Sequence, residues 1–144
     1  MASKKKLRKL LKELREKGKE DAFYEKVRGA LERASLDAVG YYSIDRNYVR
    51  VDICLSASPN LCQPTELKFY RVDKGAEAHV FIAYLHNEEQ LERLMKIVDA
   101  LRGFERVEVT ACRCSSLPEE KMRSRGFIKL YSEDCGLDWW GLVL

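Results

Sequence analysis

Apolar residues first recur at helical spacing and then at alternate positions. Leu7, Leu10, Leu11 and Leu14 follow the i, i+3, i+4, i+7 pattern of one narrow helical stripe. Ser3 is placed to cap this helix, and Gly18 to stop it after Lys17. A second helix is predicted over 20–35, with Phe23, Val27, Ala30, Leu31 and Ala34 on its apolar side. The period then changes to two. Strands are predicted over 38–45 and 48–56, joined by a turn at Asp45-Arg46-Asn47. In the second, Val49, Val51, Ile53 and Leu55 face one way and Tyr48, Arg50, Asp52 and Cys54 the other. A loop over 57–65, carrying two prolines, leads to a strand over 66–72. The stretch 79–85 is apolar on both faces, which predicts a central, doubly covered strand.

Asn87 and Gln90 make a capping-box-like start to a helix that runs to Arg102 and ends at Gly103. Its buried face is predicted to be Leu91, Leu94, Met95, Val98 and Leu101. A strand over 105–113 follows, then a short helix opened by Pro118 and closed by Gly126. A hairpin of 127–132 and 139–144 closes the chain, turning at Asp134-Cys135-Gly136. The order is ααββββαβαββ. It predicts one α/β (α+β) domain over 1–144, with a mixed, mostly antiparallel sheet of about six strands and four helices. No repeat or linker interrupts it.

Residues 79–144 carry a family resemblance. A helix, a strand and a short helix lead into Arg125-Gly126-Phe127-Ile128-Lys129-Leu130-Tyr131, and the chain closes on Trp139-Trp140-Gly141-Leu142-Val143-Leu144. This order resembles the GCN5-related N-acetyltransferase (GNAT) fold without its first strand. The resemblance implies a Gly-rich turn after the central strand, whose N–H groups hold the pyrophosphate of acetyl-CoA. Here that turn reads Leu85-His86-Asn87-Glu88-Glu89-Gln90-Leu91, with no glycine and with two carboxylates where phosphates would lie. It also implies a tyrosine general acid four residues before the Gly-Phe glycine. Met122 occupies that place and cannot donate a proton. The resemblance therefore speaks for a fold, and an acyltransferase would need an altered cofactor loop.

Composition places the chain among folded domains. Its 144 residues are 46% hydrophobic, which excludes disorder. The 34% charged fraction exceeds the roughly 25% of average domains and suits a thermophile, where charge networks are cheaper to desolvate. No apolar run is long enough to cross a membrane. The basic start leads into a charged helix rather than a secretory leader, so the expected location is the cytoplasm. The net charge of +3 is unevenly spread. Residues 1–20 hold nine Lys/Arg and three Asp/Glu, +6, and the remainder holds 17 basic and 20 acidic residues, −3.

Few groups offer chemistry. His79 and His86, on one strand, would point to opposite faces unless the strand breaks between them. Cys112 and Cys114 lie on one strand face, and with Cys135 could form a three-thiolate zinc site. Buried thiols or bridges are favoured, Cys54 with Cys62 or one of them with Cys135. There is no nucleophile elbow, Walker loop or dinucleotide fingerprint. Glu88-Glu89 and Glu119-Glu120 complement helix dipoles. No cofactor and no catalytic group is expected.

Two features lean toward nucleic acid. The first is the basic front helix, residues 1–18, with Lys4, Lys5, Lys6, Arg8 and Lys9. It can equally be a solvated face whose leucines dock on the body, or an arm that pairs with a second copy in a homodimer. The second is a sheet face showing Arg46, Tyr48, Arg50, Lys68 and Tyr70, joined by Tyr41, which could stack unpaired bases unless helices cover it. This profile is similar to that of the small single-stranded-DNA-binding proteins of thermophilic archaea. The expected function is non-enzymatic binding of single-stranded DNA or RNA, without membrane association. The alternatives are a GNAT-fold acyltransferase and a homodimeric assembly module.

Overall fold

The computed structural model describes residues 3–56, 62–133 and 136–144. The described residues form four helices and one seven-stranded sheet. They run α1 (Lys4–Gly18), α2 (Ala22–Arg33), β1 (Tyr42–Asp45), β2 (Tyr48–Ile53), β3 (Thr65–Val72), β4 (Gly75–Leu85), α3 (Glu88–Ala100), β5 (Arg106–Cys114), α4 (Glu119–Arg123), β6 (Ile128–Ser132) and β7 (Leu137–Val143). The sheet order is β1-β2-β3-β4-β5-β7-β6. Only β4 and β5 pair in parallel, and α3 connects them. The mixed, mostly antiparallel α+β reading therefore holds, with seven strands where about six were expected.

The N-caps form as the sequence predicts. The Ser3 hydroxyl accepts from the Lys6 N–H, and the Asn87 side chain accepts from the Gln90 N–H. The Gln90 side chain accepts in turn from the His86 N–H at 2.6 Å, one residue ahead of the usual capping-box partner. Gly18 is the last residue of α1 rather than the residue beyond its end. A Cβ there would come within 2.9 Å of the Glu25 carboxylate and 3.2 Å of the Glu25 backbone, so this glycine lets α1 and α2 approach closely.

All four helices pack on one face of the sheet. Their buried residues share one core with Val49, Val51, Leu67, Phe69, Ala78, Val80, Val109 and Trp140. The leucine stripe of α1 is spent on this core. Leu10 and Leu14 are fully buried, and Leu7 and Leu11 pack partly against the core. Each buried leucine contributes about 1.5–3 kcal/mol. The front helix is thus docked on the body rather than projecting as an arm.

Two expectations about β4 change. The strand is central, fourth of seven, but it is covered on one face only: its burial alternates, and Phe81 is 43% exposed. Among the described residues no helix lies over the opposite face. The second change is a bulge between Phe81 and Ala83. His79 pairs with Glu108 and Tyr84 with Cys112, so one face of β5 meets odd-numbered β4 residues before the bulge and even-numbered ones after it. His79 and His86 consequently serve the same face.

Candidate nucleic-acid interface

Nine of the ten predicted residues separate into two groups on opposite sides of the sheet. Lys4, Lys5, Lys6, Arg8 and Lys9 lie on α1 in the helix layer, all exposed. Tyr48, Arg50, Lys68 and Tyr70 lie on the uncovered sheet face, each half-buried. Arg46 belongs to neither group. It is exposed at the β1–β2 turn, where its carbonyl accepts from Tyr24 and Arg71.

The helix group is a surface of free charge. With 100° per residue, Lys4, Lys5, Arg8, Lys9, Lys12 and Arg15 fall within an arc of roughly 140° opposite the leucines. Only Arg15 has an acidic partner, Glu32 at 3.4 Å. Lys4, Lys5, Arg8, Lys9 and Lys12 have none among the described residues. Lys6 lies off this arc and is anchored, donating to the Gly40 carbonyl at 2.7 Å. That contact, with the Ser3–Val39 bridge, ties the start of α1 to the chain entering β1. Tyr41, next to Gly40, is 53% exposed, with the Arg50 guanidinium over its ring.

The sheet group is charge-compensated. Register sets Tyr48 opposite Tyr70, Arg50 opposite Lys68 and Asp52 opposite Glu66. Arg50 bridges Asp52 at 3.0 Å and Glu66 at 3.1 Å, and Lys68 reaches Glu66 at 3.8 Å. The bond to Asp52 holds the Arg50 guanidinium more firmly protonated. His79 continues the network, 3.0 Å from Glu108, which Arg106 also grips. Tyr48 and Tyr70 pack with ring centroids 5.1 Å apart, and Tyr70 meets His79 edge-on. Burial pushes the Tyr48 phenol up. Both cations of this face already have carboxylates, and its tyrosines already have partners.

Sequence reasoning passed over Lys12, one helical turn beyond Arg8 on the same face, a spacing visible in the sequence. Tyr41, expected beside the sheet group, does meet it through the Arg50 guanidinium over its ring.

The sulfur groups are elsewhere. Cys54 and Cys62 form a disulfide, which settles the pairing for both. Cys112 is buried. Cys114 is half-buried, with its Sγ 2.9 Å from His86 Nδ1. Burial pushes the Cys114 thiol up, against the opposing pull of Arg113. Cys135 lies outside the described residues, and with it the three-thiolate site and the turn at 134–136; the loop residues 57–61 are likewise outside. No cluster of three metal-ligating side chains occurs among the described residues. A cleft of about 390 Å³, lined by residues including Ser35, Asp37, Cys54, Arg93 and Lys96, holds none of the ten predicted residues. Among the described residues no helix is long and apolar enough to cross a membrane.

No protein-family model, curated protein or solved structure matches this chain.

Proposed function

We propose that this chain is a non-enzymatic nucleic-acid-binding protein that holds the phosphate backbone on the exposed face of α1. The observation that carries this reading is the unpaired state of Lys4, Lys5, Arg8, Lys9 and Lys12 on one helix face. On the sheet face Arg50 and Lys68 are instead matched by Asp52 and Glu66. Lys4, Arg8 and Lys12 follow one another at about one helical turn, ~6 Å of rise, and so do Lys5 and Lys9. Releasing the counterions of those phosphates supplies the binding free energy.

The ligand we favour is single-stranded DNA or RNA. Tyr41 is 53% exposed at the edge of the sheet, with the Arg50 guanidinium over its ring, and an unpaired base can add to that stack. We place the protein in the cytoplasm of a thermophile. The chained ion pairs Glu25–Arg28–Glu32–Arg15 support high-temperature function, and an intracellular Cys54–Cys62 disulfide fits hyperthermophilic cells.

The test is fluorescence anisotropy of a labelled oligonucleotide, single-stranded and duplex, over a range of salt. With five free cations engaged, the plot of log affinity against log salt should slope about −3.5 for a single strand. Absence of binding at low salt would overturn the reading.

One observation favours a second reading, acyl transfer by an altered GNAT-type site. A cavity of about 30 Å³, room for about one water, is lined in part by Thr65, Tyr84, His86 and Gln90 at the carboxyl end of β4, the usual ligand position in such sheets, and would have to widen to admit a cofactor. Against it, Glu88 and Glu89 sit in the first turn of α3, and Glu88 is bound by Lys121 at 2.8 Å. A thermal shift with millimolar acetyl-CoA supports this second reading; its absence removes it.

A further inference from the structure

We propose that Cys114 and His86 form a thiol–imidazole pair that carries out thiol–disulfide exchange with small-molecule disulfides. The inference is independent of the nucleic-acid reading.

The pair is built by the β4 bulge. By strict alternation from His79, position 86 would face the core. The bulge reverses the alternation, and His86 arrives on the face of β5 that carries Cys112 and Cys114. Its backbone is held at both ends: the N–H donates to Gln90 Oε1 at 2.6 Å, and the carbonyl accepts from the Ser116 hydroxyl at 2.7 Å. The imidazole is exposed, and its Nδ1 lies 2.9 Å from the thiol, within reach of proton transfer. Cys114 ends β5, where it pairs with Leu137, and the two residues before it pair with Tyr84 and Leu85 of β4.

The surroundings decide which electrophile suits the pair. Attack on a carbonyl develops an oxyanion, which needs aimed N–H donors. The start of α3, next to His86, spends its Gln90 N–H on Asn87 and carries Glu88 and Glu89. Thiol–disulfide exchange makes no oxyanion, and needs only a thiolate and access. A thiol in a partly buried setting is mostly protonated at neutral pH, so an adjacent base sets how fast the thiolate is supplied. Cys62, half of the chain's own disulfide, lines the same small cavity as His86.

The step balances within two reactants. The Cys114 proton passes to His86, and Sγ attacks one sulfur of the incoming disulfide. A Cys114–sulfur bond forms as the original sulfur–sulfur bond breaks, and the departing thiolate takes the proton back from the imidazolium. The products are a mixed disulfide on Cys114 and one free small thiol. Cys114 is oxidised and the incoming disulfide is the oxidant, half of it leaving reduced as the free thiol; no other redox partner is needed.

The experiment treats the native full chain with dithiodipyridine, a neutral aromatic disulfide whose released thione absorbs, and maps the modified residue by mass spectrometry. The expected result is one fast phase, located at Cys114 and absent in Cys114→Ser. In His86→Asn the fast phase should slow at least about tenfold, the low side of general-base contributions. Added imidazole should restore part of the rate in His86→Gly, which a purely structural histidine would not permit. A fast phase that maps to Cys112 or Cys135, or no phase faster than a free cysteine, overturns the proposal. So does a His86→Asn rate equal to that of the unaltered chain.

Discussion

The outer face of α1 and the uncovered face of the sheet contain similar residues in opposite electrostatic states. On α1, five cations stand in water with no acidic partner among the described residues. On the sheet, Arg50, Lys68 and Arg106 are interleaved with Asp52, Glu66 and Glu108 and bound to them. Helix geometry permits this separation, because positions i and i+4 share a face, Lys4, Arg8 and Lys12 follow one another at that spacing, and Glu16 on the same side is taken by Lys19. Strand pairing prevents it, because register brings each basic residue within reach of a carboxylate on its own or the neighbouring strand. A phosphate approaching α1 releases counterions and breaks no ion pair. One approaching Arg50 must displace Asp52 and Glu66. Counting Lys and Arg thus says less about an anion site than counting those without partners.

The contrast is most sharply broken by removing charge from α1. Replacing Lys4, Lys5, Arg8, Lys9 and Lys12 together by alanine should weaken oligonucleotide binding on the order of a thousandfold near 0.1 M salt. Alanine is the best helix former, so circular dichroism should show α1 intact. The covered side of the sheet offers the next largest effect. There Arg113 and Asp138 pair at 2.6 Å with both side chains nearly buried, and Trp140 Nε1 donates to the same carboxylate. Asp138→Ala strands a buried guanidinium and should cost about 3 kcal/mol in urea unfolding. A loss below 1 kcal/mol would mean that pairing matters no more inside than on the open face.

The same carboxylate limits acid stability. Burial works to raise the Asp138 carboxyl, but the bonds from Arg113 and Trp140 outweigh it and hold the group below its ordinary value. Asp21 is lowered likewise by its bond to Arg71. A depressed carboxylate gives stability that is complete above its unfolded value, about 3.9, and lost as pH falls through the folded value. Thermal midpoints should therefore be insensitive to these two groups above pH ~5 and fall below pH ~4. In Asp138→Asn the acid fall should be shallower.

Smaller effects divide the two faces again. Tyr41→Ala should weaken single-strand binding about tenfold, within the 1–3 kcal/mol of one stacked base, and leave duplex binding unchanged. Tyr48→Ala should change binding by less than about twofold, since that ring is engaged by Tyr70 rather than held open for a base. A tenfold loss at Tyr48 would transfer the binding site to the sheet. Arg50→Ala should move stability by no more than about 1 kcal/mol, as partly exposed pairs do.

Periodicity made most elements legible. The stripe Leu7–Leu14 specified both α1 and its buried side, and alternation assigned Tyr48, Arg50, Lys68 and Tyr70 to one face. Coverage of the faces was not legible. The run Val80-Phe81-Ile82-Ala83 is apolar throughout, which reads as a strand buried twice, yet Phe81 is exposed beneath the Lys68 ammonium. The same run hides the bulge, because an apolar residue fits either side and leaves no mark where the alternation reverses. The meeting of His86 and Cys114 was therefore outside the reach of pattern. The neutralisation of Arg50 and Lys68 was closer to hand: pairing 48–53 with 65–70 already sets Asp52 and Glu66 beside them. The free state of the α1 cations needed the tertiary structure, since a docked helix can turn charge toward any neighbour.

The central claim is that those five cations carry the phosphate contacts. The measurement is the salt dependence of single-strand binding, compared between the unaltered chain and the five-alanine variant. The account predicts a log–log slope of about −3.5 for the former and near zero for the latter, each lost contact contributing about 0.7. Equal slopes in the two proteins would contradict it.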